Sequence, residues 1–279
     1  MVPRGTIATM RDVRRAAVAG TWYPGTREAL ERAIDAHLAS ARPVTDACPR
    51  ALVAPHAGLM YSGPVAAHAY QLVGGCAYEA VVLVGPSHFV GFDGVSLWPR
   101  GEWESPFGPV AVAAPIADAI AAAGVGLENQ AAHLREHSLE MQLPFVARLM
   151  PGVPIVPLVM GFQTRATAEA LGDALARGVK GRDVLLVASS DLSHYQDART
   201  AAALDAVVLL HLETFDAEGL MRALEREPGH ACGGGPMVAV LRAARALGAT
   251  RARVLRYADS GDVSGDKNSV VGYAAAAVW

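Results

Sequence analysis

Short runs of Val, Leu, Ile and Ala with little polar interruption recur along the chain, at residues 51–54, 80–84, 155–160, 184–188, 254–257 and 270–278. Their length and lack of strict alternation predict strands buried on both faces. Between them, apolar residues recur at helical spacing over residues 28–39, 64–73, 139–149, 167–176, 201–212 and 236–247. Strand and helix therefore alternate. That order predicts an α/β fold with a central, mostly parallel or mixed sheet flanked by helices, because each parallel pair needs a crossover and the crossover helix covers a face. Residues 91–115, rich in Gly, Pro and Trp, are expected to leave the main sheet as a hairpin-like excursion. No internal repeat of roughly 20 to 50 residues interrupts the pattern. No long Pro/Gly/Ser linker divides it either, so residues 1–279 are read as one domain, with residues 1–10 set aside as a segment expected to be flexible.

Composition supports a large core: 52% of residues are hydrophobic and 18% charged, which argues against a disordered chain. The net charge is −3, and Lys and Arg are scattered rather than gathered into a stripe, so neither a nucleic acid nor an acidic membrane is expected as a partner. The three cysteines, Cys48, Cys76 and Cys232, cannot all pair, and a reducing compartment fits the count. On that reading Cys48 and Cys76 are small buried apolar residues. No apolar run approaches the roughly 18 residues that span a bilayer, and arginines stand where a signal peptide needs its apolar stretch. A cytoplasmic protein is the expectation.

Candidate chemistry gathers where apolar runs end, since ligands of open α/β sheets bind beyond the carboxyl ends of the strands. ALVAPHAG ends in His56, VVLVGPSH in His88, and DVLLVASSDLSH delivers Asp191 and His194. HACGGGPM puts Cys232 just before a helix expected to open at Pro236. Any one of these histidines alone reads as a structural, hydrogen-bonded residue. Three at equivalent strand exits favour a shared pocket, where imidazoles are natural transition-metal ligands and a carboxylate or thiolate completes the set. Cys232 faces the positive end of a helix, which favours thiolate and makes it a ligand or a nucleophile; a small buried hydrophobe is the alternative.

HLREHSLEMQLPF adds His137 and Glu140, three apart, as further pocket candidates, with Ser138 as an N-cap leading into a core-facing helix as the blander reading. His133 is expected in solvent, and His37, His68, His211 and His230 in structural or solvated roles. GPSHF lacks the second glycine of a nucleophile elbow, and neither a P-loop nor a dinucleotide fingerprint occurs. The Gly233–Gly235 run alone is weak evidence for an anion cradle.

AGTWYPG, APHAGLMYSGPVAAHAY, VGPSH, WESPFGPV, EHSLEMQLPF, SSDLSHY, CGGGP and YADSGDVSGDKNSVVGYAA occur in this order over nearly the whole chain. Together they resemble the Memo family, whose bacterial and archaeal members are often labelled AmmeMemoRadiSam system protein B. The resemblance implies a fold similar to the LigB-type class III extradiol dioxygenases, non-haem iron enzymes that open catechol rings. It places His56 and His88 on the family's metal-pocket histidines and Cys232 on its pocket cysteine. His194, with Asp191 beside it, falls on the acid/base histidine of the dioxygenases. Those enzymes hold iron with two histidines and a carboxylate, whereas this chain offers Cys232, so iron (Fe2+), copper and zinc all come into view and ring cleavage itself is in doubt. The resemblance also implies a pathway shared with a radical-SAM partner.

Three functions follow as expectations. The first is metal-dependent redox chemistry on a small molecule, with His194, Asp191 and Cys232 as catalytic residues. The second is an adaptor that holds a small-molecule or peptide ligand in a groove lined by Trp22, Tyr23 and Tyr61. The third is hydrolysis by Cys232 with His194 as base, which needs the two within hydrogen-bond reach.

Overall fold

A computed structural model describes residues 13–45, 47–126 and 129–279; the expectation for residues 1–10 lies outside them. In chain order the strands are β1 (Val13–Arg14), β2 (Ala51–Ala54), β3 (Ala80–Pro86), β4 (Val95–Leu97), β5 (Glu102–Trp103), β6 (Val110–Ala111), β7 (Ile155–Met160), β8 (Val184–Ser189), β9 (His194–Gln196), β10 (Ala252–Asp259) and β11 (Val270–Val278). The helices are α1 (Arg27–Ser40), α2 (Leu59–Tyr70), α3 (Ala114–Ala122), α4 (Ala131–Leu134), α5 (Leu143–Leu149), α6 (Arg165–Gly178), α7 (Ala198–Glu213), α8 (Ala217–Arg226), α9 (Gly234–Ala246) and α10 (Gly261–Ser264).

The main sheet runs β10-β11-β2-β8-β3-β7-β4, with β9 pairing β11 beside that path. β2, β8, β3 and β7 are mutually parallel in that order. Antiparallel strands close both sides: β11 and β10 beyond β2, and β4 beyond β7. The fold is therefore α/β with a mixed sheet between helical layers. Every residue of β2, β3, β7 and β8 is buried, and the period of two divides them between two cores. Val82, Val84, Leu186 and Ala188 join α6, α8 and α9 on one face, while Val81, Leu83, Leu185 and Val187 join α1, α2 and α5 on the other. Burial on both faces is why these strands read as continuous apolar runs.

Several expectations are corrected. The 91–115 region does not leave the main sheet entirely: β4 pairs with β7, while β5 and β6 form a small separate sheet with β1. α2 starts at Leu59 rather than Pro64, with Pro64 inside it. Ser138 caps no helix: its hydroxyl donates to Pro86 O at 3.0 Å, and Glu140–Gln142 form a 3-10 turn before α5, whose first turn holds Pro144. α9 begins at Gly234, two residues before Pro236.

Cys48 and Cys76 are not buried apolar residues but form a disulfide that links the segment before β2 to the segment after α2. His133 is fully buried rather than in solvent, with Nε2 2.9 Å from Ser96 Oγ and its ring against Trp98 and Trp103. Among the described residues no helix is long and apolar enough to cross a membrane.

Candidate metal centre

The parallel strands end together, and their exits carry the candidate residues to one place. His56 follows β2, His88 follows β3, and Asp191 follows β8. Cys232 arrives from the segment leading into α9, and its amide donates to Asp191 O at 3.3 Å. Gly233 lets that segment approach β8, since a Cβ there would stand 2.4 Å from Ser189 O. The glycine run thus serves close packing rather than an anion cradle. Ligand atoms of His56, His88 and Cys232 lie within 4.8 Å of one another.

The hydrogen bonds around His56 fix its tautomer. Ser189 Oγ donates to Ser138 O at 2.7 Å and accepts from Gln142 Nε2 at 2.8 Å. Its one proton is committed, so at 2.9 Å it accepts from His56 Nδ1. His56 Nε2 then keeps its lone pair and faces Cys232 Sγ at 3.2 Å. Gln142 is held in turn by Tyr70, whose hydroxyl donates to Oε1 at 2.9 Å, and by its own bond to Pro55 O at 3.1 Å.

His88 is oriented by a residue that the sequence reading passed over. Glu136 accepts from His88 N at 2.6 Å, from His88 Nδ1 at 2.8 Å and from Ser138 N at 2.8 Å. A carboxylate only accepts, so Nδ1 carries the proton and Nε2 is free, the arrangement in which a carboxylate orients a metal-binding histidine. Glu136 stands beside His137 in the EHSLEMQLPF segment that carries the family resemblance. That place was the one signal available for it.

His137 is in the pocket: its ring stacks on His88 with centroids 4.5 Å apart, lies 5.6 Å from His56, and is covered by Trp22 at 4.3 Å. Ligand atoms of His88, Glu136 and His137 form a second close group. The His88 bond already occupies Glu136, however, and we read that group as support for His88. Glu140 is not in the pocket; it is fully buried against Arg14 and accepts from Tyr23 OH at 2.8 Å. Tyr23 is thereby buried and lines no groove, while Trp22 is partly exposed.

His194, in β9, donates Nδ1–H to Leu192 O at 2.8 Å and borders a cavity of about 330 Å³ shared with Cys232 and Leu204. Cys232 and His194 share no hydrogen bond; the thiol meets His56 instead. Asp191 turns inward, its Oδ1 accepting from His56 N at 2.7 Å and Ala57 N at 3.3 Å.

Electrostatics favour the neutral forms of His56, His137 and Cys232 and the ionised form of Glu136. Burial, helped by the neighbouring His88, lowers the His56 imidazole to about 3. Burial, with His56 beside it, takes His137 to about 3 as well. Burial alone would raise Glu136, but the His88 hydrogen bond and charge and the amides of His88 and Ser138 outweigh it and hold the carboxyl at about 2. Asp191 is pushed up by burial, against the pull of the His56 and Ala57 amides.

Burial and the Asp191 charge raise the Cys232 thiol well above its ordinary range. This reverses the thiolate expected from the helix end. A helix dipole contributes about 0.3–1 kcal/mol, less than one pKa unit, and desolvation of the half-buried thiol, with the Asp191 charge, outweighs it. Two imidazole lone pairs and one thiol that a metal deprotonates on binding suit a borderline or soft transition metal, so the donor set fits the group that the resemblance implies.

Comparison with known proteins bears on the family and the fold. A family model described as Memo-like protein matches residues 14–277. A MEMO1 family protein of Methanothermobacter thermautotrophicus is 39% identical over 278 residues, covering 94% of this chain and 99% of its own length. MEMO1 family proteins of Methanosarcina mazei and Thermotoga petrophila are 38% and 37% identical, each over 95% of this chain and 98% and 99% of their own lengths. Among solved structures, uncharacterized protein JW3007 from Escherichia coli K12 aligns with a TM-score of 0.53 at 16% identity, covering 80% of this chain and 98% of that one. At that identity the likeness is one of fold.

Proposed function

The chain belongs to the Memo-like protein family, and from that premise we propose that it binds one transition-metal ion through His56, His88 and Cys232 and performs redox chemistry on a small molecule. The observation that carries this reading is the locking of both imidazoles through Nδ1, His56 by Ser189 and His88 by Glu136, with each Nε2 left unprotonated and the His56 Nε2 facing Cys232 Sγ. A structural histidine needs no such arrangement; a ligand does.

Iron or copper fits the redox role, and zinc fits the same donors without it. When bound, iron or copper would supply a Lewis acid and a redox couple at coordination positions the protein leaves open. The protein's own residues do the rest. His194 gives Nδ1–H to Leu192 O and keeps Nε2 to take or return a proton beside the cavity. Asp191 holds the His56 backbone in place through two amides, and its backbone N–H donates to Cys232 Sγ at 3.3 Å. Trp22 and Phe89, both partly exposed, stand against His137 and wall the pocket on that side.

A thiol nucleophile is disfavoured, because Cys232 is driven toward its neutral form and its partner His56 is a poor base at about 3. Ligand binding without chemistry draws support from the exposed Trp22. Elemental analysis of protein purified anaerobically without chelators tests the first reading. About one metal per chain is expected, lost in His56→Ala and in His88→Ala; equal metal content in all three proteins contradicts it.

A further inference from the structure

Glu140, expected at the pocket, reaches it by an indirect route. Arg14 and Glu140 form an ion pair with both side chains 0% exposed. Arg14 donates Nη1 to Glu140, Nε to His133 O at 3.1 Å and Nη2 to Glu136 O, and its guanidinium lies over the Trp103 ring. Glu140 also accepts from Ala17 N at 2.8 Å, Val18 N at 3.0 Å and Tyr23 OH at 2.8 Å.

Two irregular segments are joined here. One is the 135–139 stretch between α4 and the 3-10 turn, which carries Glu136 and His137. The other is the 15–23 stretch that follows β1, which carries Trp22 against His137. Neither lies in a helix or sheet rigid enough to aim a side chain by itself. Glu136 is therefore gripped twice: its carbonyl by Arg14, and its carboxylate by His88 and Ser138. A buried ion pair is a weak source of stability, because an apolar pair of equal volume avoids the desolvation cost. Its directed bonds to two segments fit a positioning task better.

We infer that the Arg14–Glu140 pair is a positioning device for the metal centre, setting His88 through Glu136 and His137 through Trp22. The inference rests on the metal-binding reading. Arg14→Lys preserves the charge on Glu140, but one ammonium cannot also hold the Glu136 and His133 carbonyls in the fork geometry of a guanidinium. Leu212→Ala, a truncation in the core on the opposite face of the sheet, serves as a control for general destabilisation.

Cobalt(II) titration, followed by its d–d absorption bands, tests the inference on the whole chain alongside thermal unfolding. Arg14→Lys is expected to weaken cobalt binding by about tenfold and to shift the bands, as loss of an outer-shell partner does. Leu212→Ala is expected to lower the melting temperature and leave both cobalt readouts as in wild type. Wild-type affinity and bands in Arg14→Lys overturn the inference while leaving the metal site standing. A wild-type protein that takes up no cobalt overturns the metal reading and the inference with it. If Arg14→Lys does not fold, Tyr23→Phe, which removes one donor to Glu140, carries the same comparison: a drop in affinity beyond that of Leu212→Ala supports the inference, and no drop overturns it.

Discussion

Ser189 Oγ stands 2.9 Å from His56 Nδ1 with its only proton already given to Ser138 O. The hydroxyl thus dictates which nitrogen of His56 faces the pocket, from a position outside the donor set. Ser189→Ala removes that control. Metal affinity is expected to fall by about 10- to 100-fold. Stability is expected to fall by about 1–3 kcal/mol, because Ser138 O loses its donor and Gln142 Nε2 one of its acceptors. Metal competition titration and chemical denaturation measure the two separately.

Glu136→Gln leaves one acceptor oxygen where three donors converge. A drop in metal affinity of about 10- to 100-fold is expected. Equal affinity in wild type and variant, by the same titration, contradicts the role given to Glu136.

Much of this was legible in the sequence, for identifiable reasons. Residues 155–160 and 270–278 were read as strands with the bounds the structure gives, since burial on both faces leaves an uninterrupted apolar signature. β4, β5 and β6 are too short to show a period, and α3 is masked by alanine-rich sequence. His56, His88 and Cys232 were found because each follows a strand or precedes a helix. Glu136 was missed because its partner lies 48 residues away and no local period aims its side chain. Glu140 was misplaced for the opposite reason: spacing from His137 put it on the same helical face, but the turn there is 3-10 and Arg14 draws the carboxylate away.

Acid sensitivity of the metal-free protein follows from His133. Burial, together with the Arg14 charge, lowers its folded pKa to about 3 from an unfolded 6.5. Between those values the unfolded chain takes up a proton that the native state refuses. The stabilising contribution is therefore complete above pH 6.5 and is lost as pH falls, by up to about 1.4 kcal/mol per pH unit. Denaturation of His133→Asn is expected to show a correspondingly shallower loss of stability from pH 6 to 4; parallel curves contradict this.

The Cys48–Cys76 disulfide closes a span of 28 residues that includes β2, His56 and α2. Loop-closure entropy for that length corresponds to about 3.5 kcal/mol of stability. Cys48→Ser with Cys76→Ser is expected to lower the denaturation midpoint accordingly. Metal affinity is expected to stay unchanged, because the bridge lies at the other end of β2 from His56. A loss of affinity without loss of stability goes against both expectations.

Gly233→Ala places a Cβ 2.4 Å from Ser189 O and 2.7 Å from Ser190 Cβ, both rigidly held. Overpacking of this kind costs about 1–3 kcal/mol. The shift it forces on Cys232 is expected to weaken metal binding as well, measured on the same preparation.

X-ray absorption at the K-edge of the bound metal reads the central claim most directly. The account predicts a shell with imidazole nitrogens at about 2.0–2.1 Å and a single sulfur at about 2.3 Å, with the sulfur lost in Cys232→Ser. A shell of oxygen and nitrogen alone in the wild type, unchanged by that substitution, would contradict it.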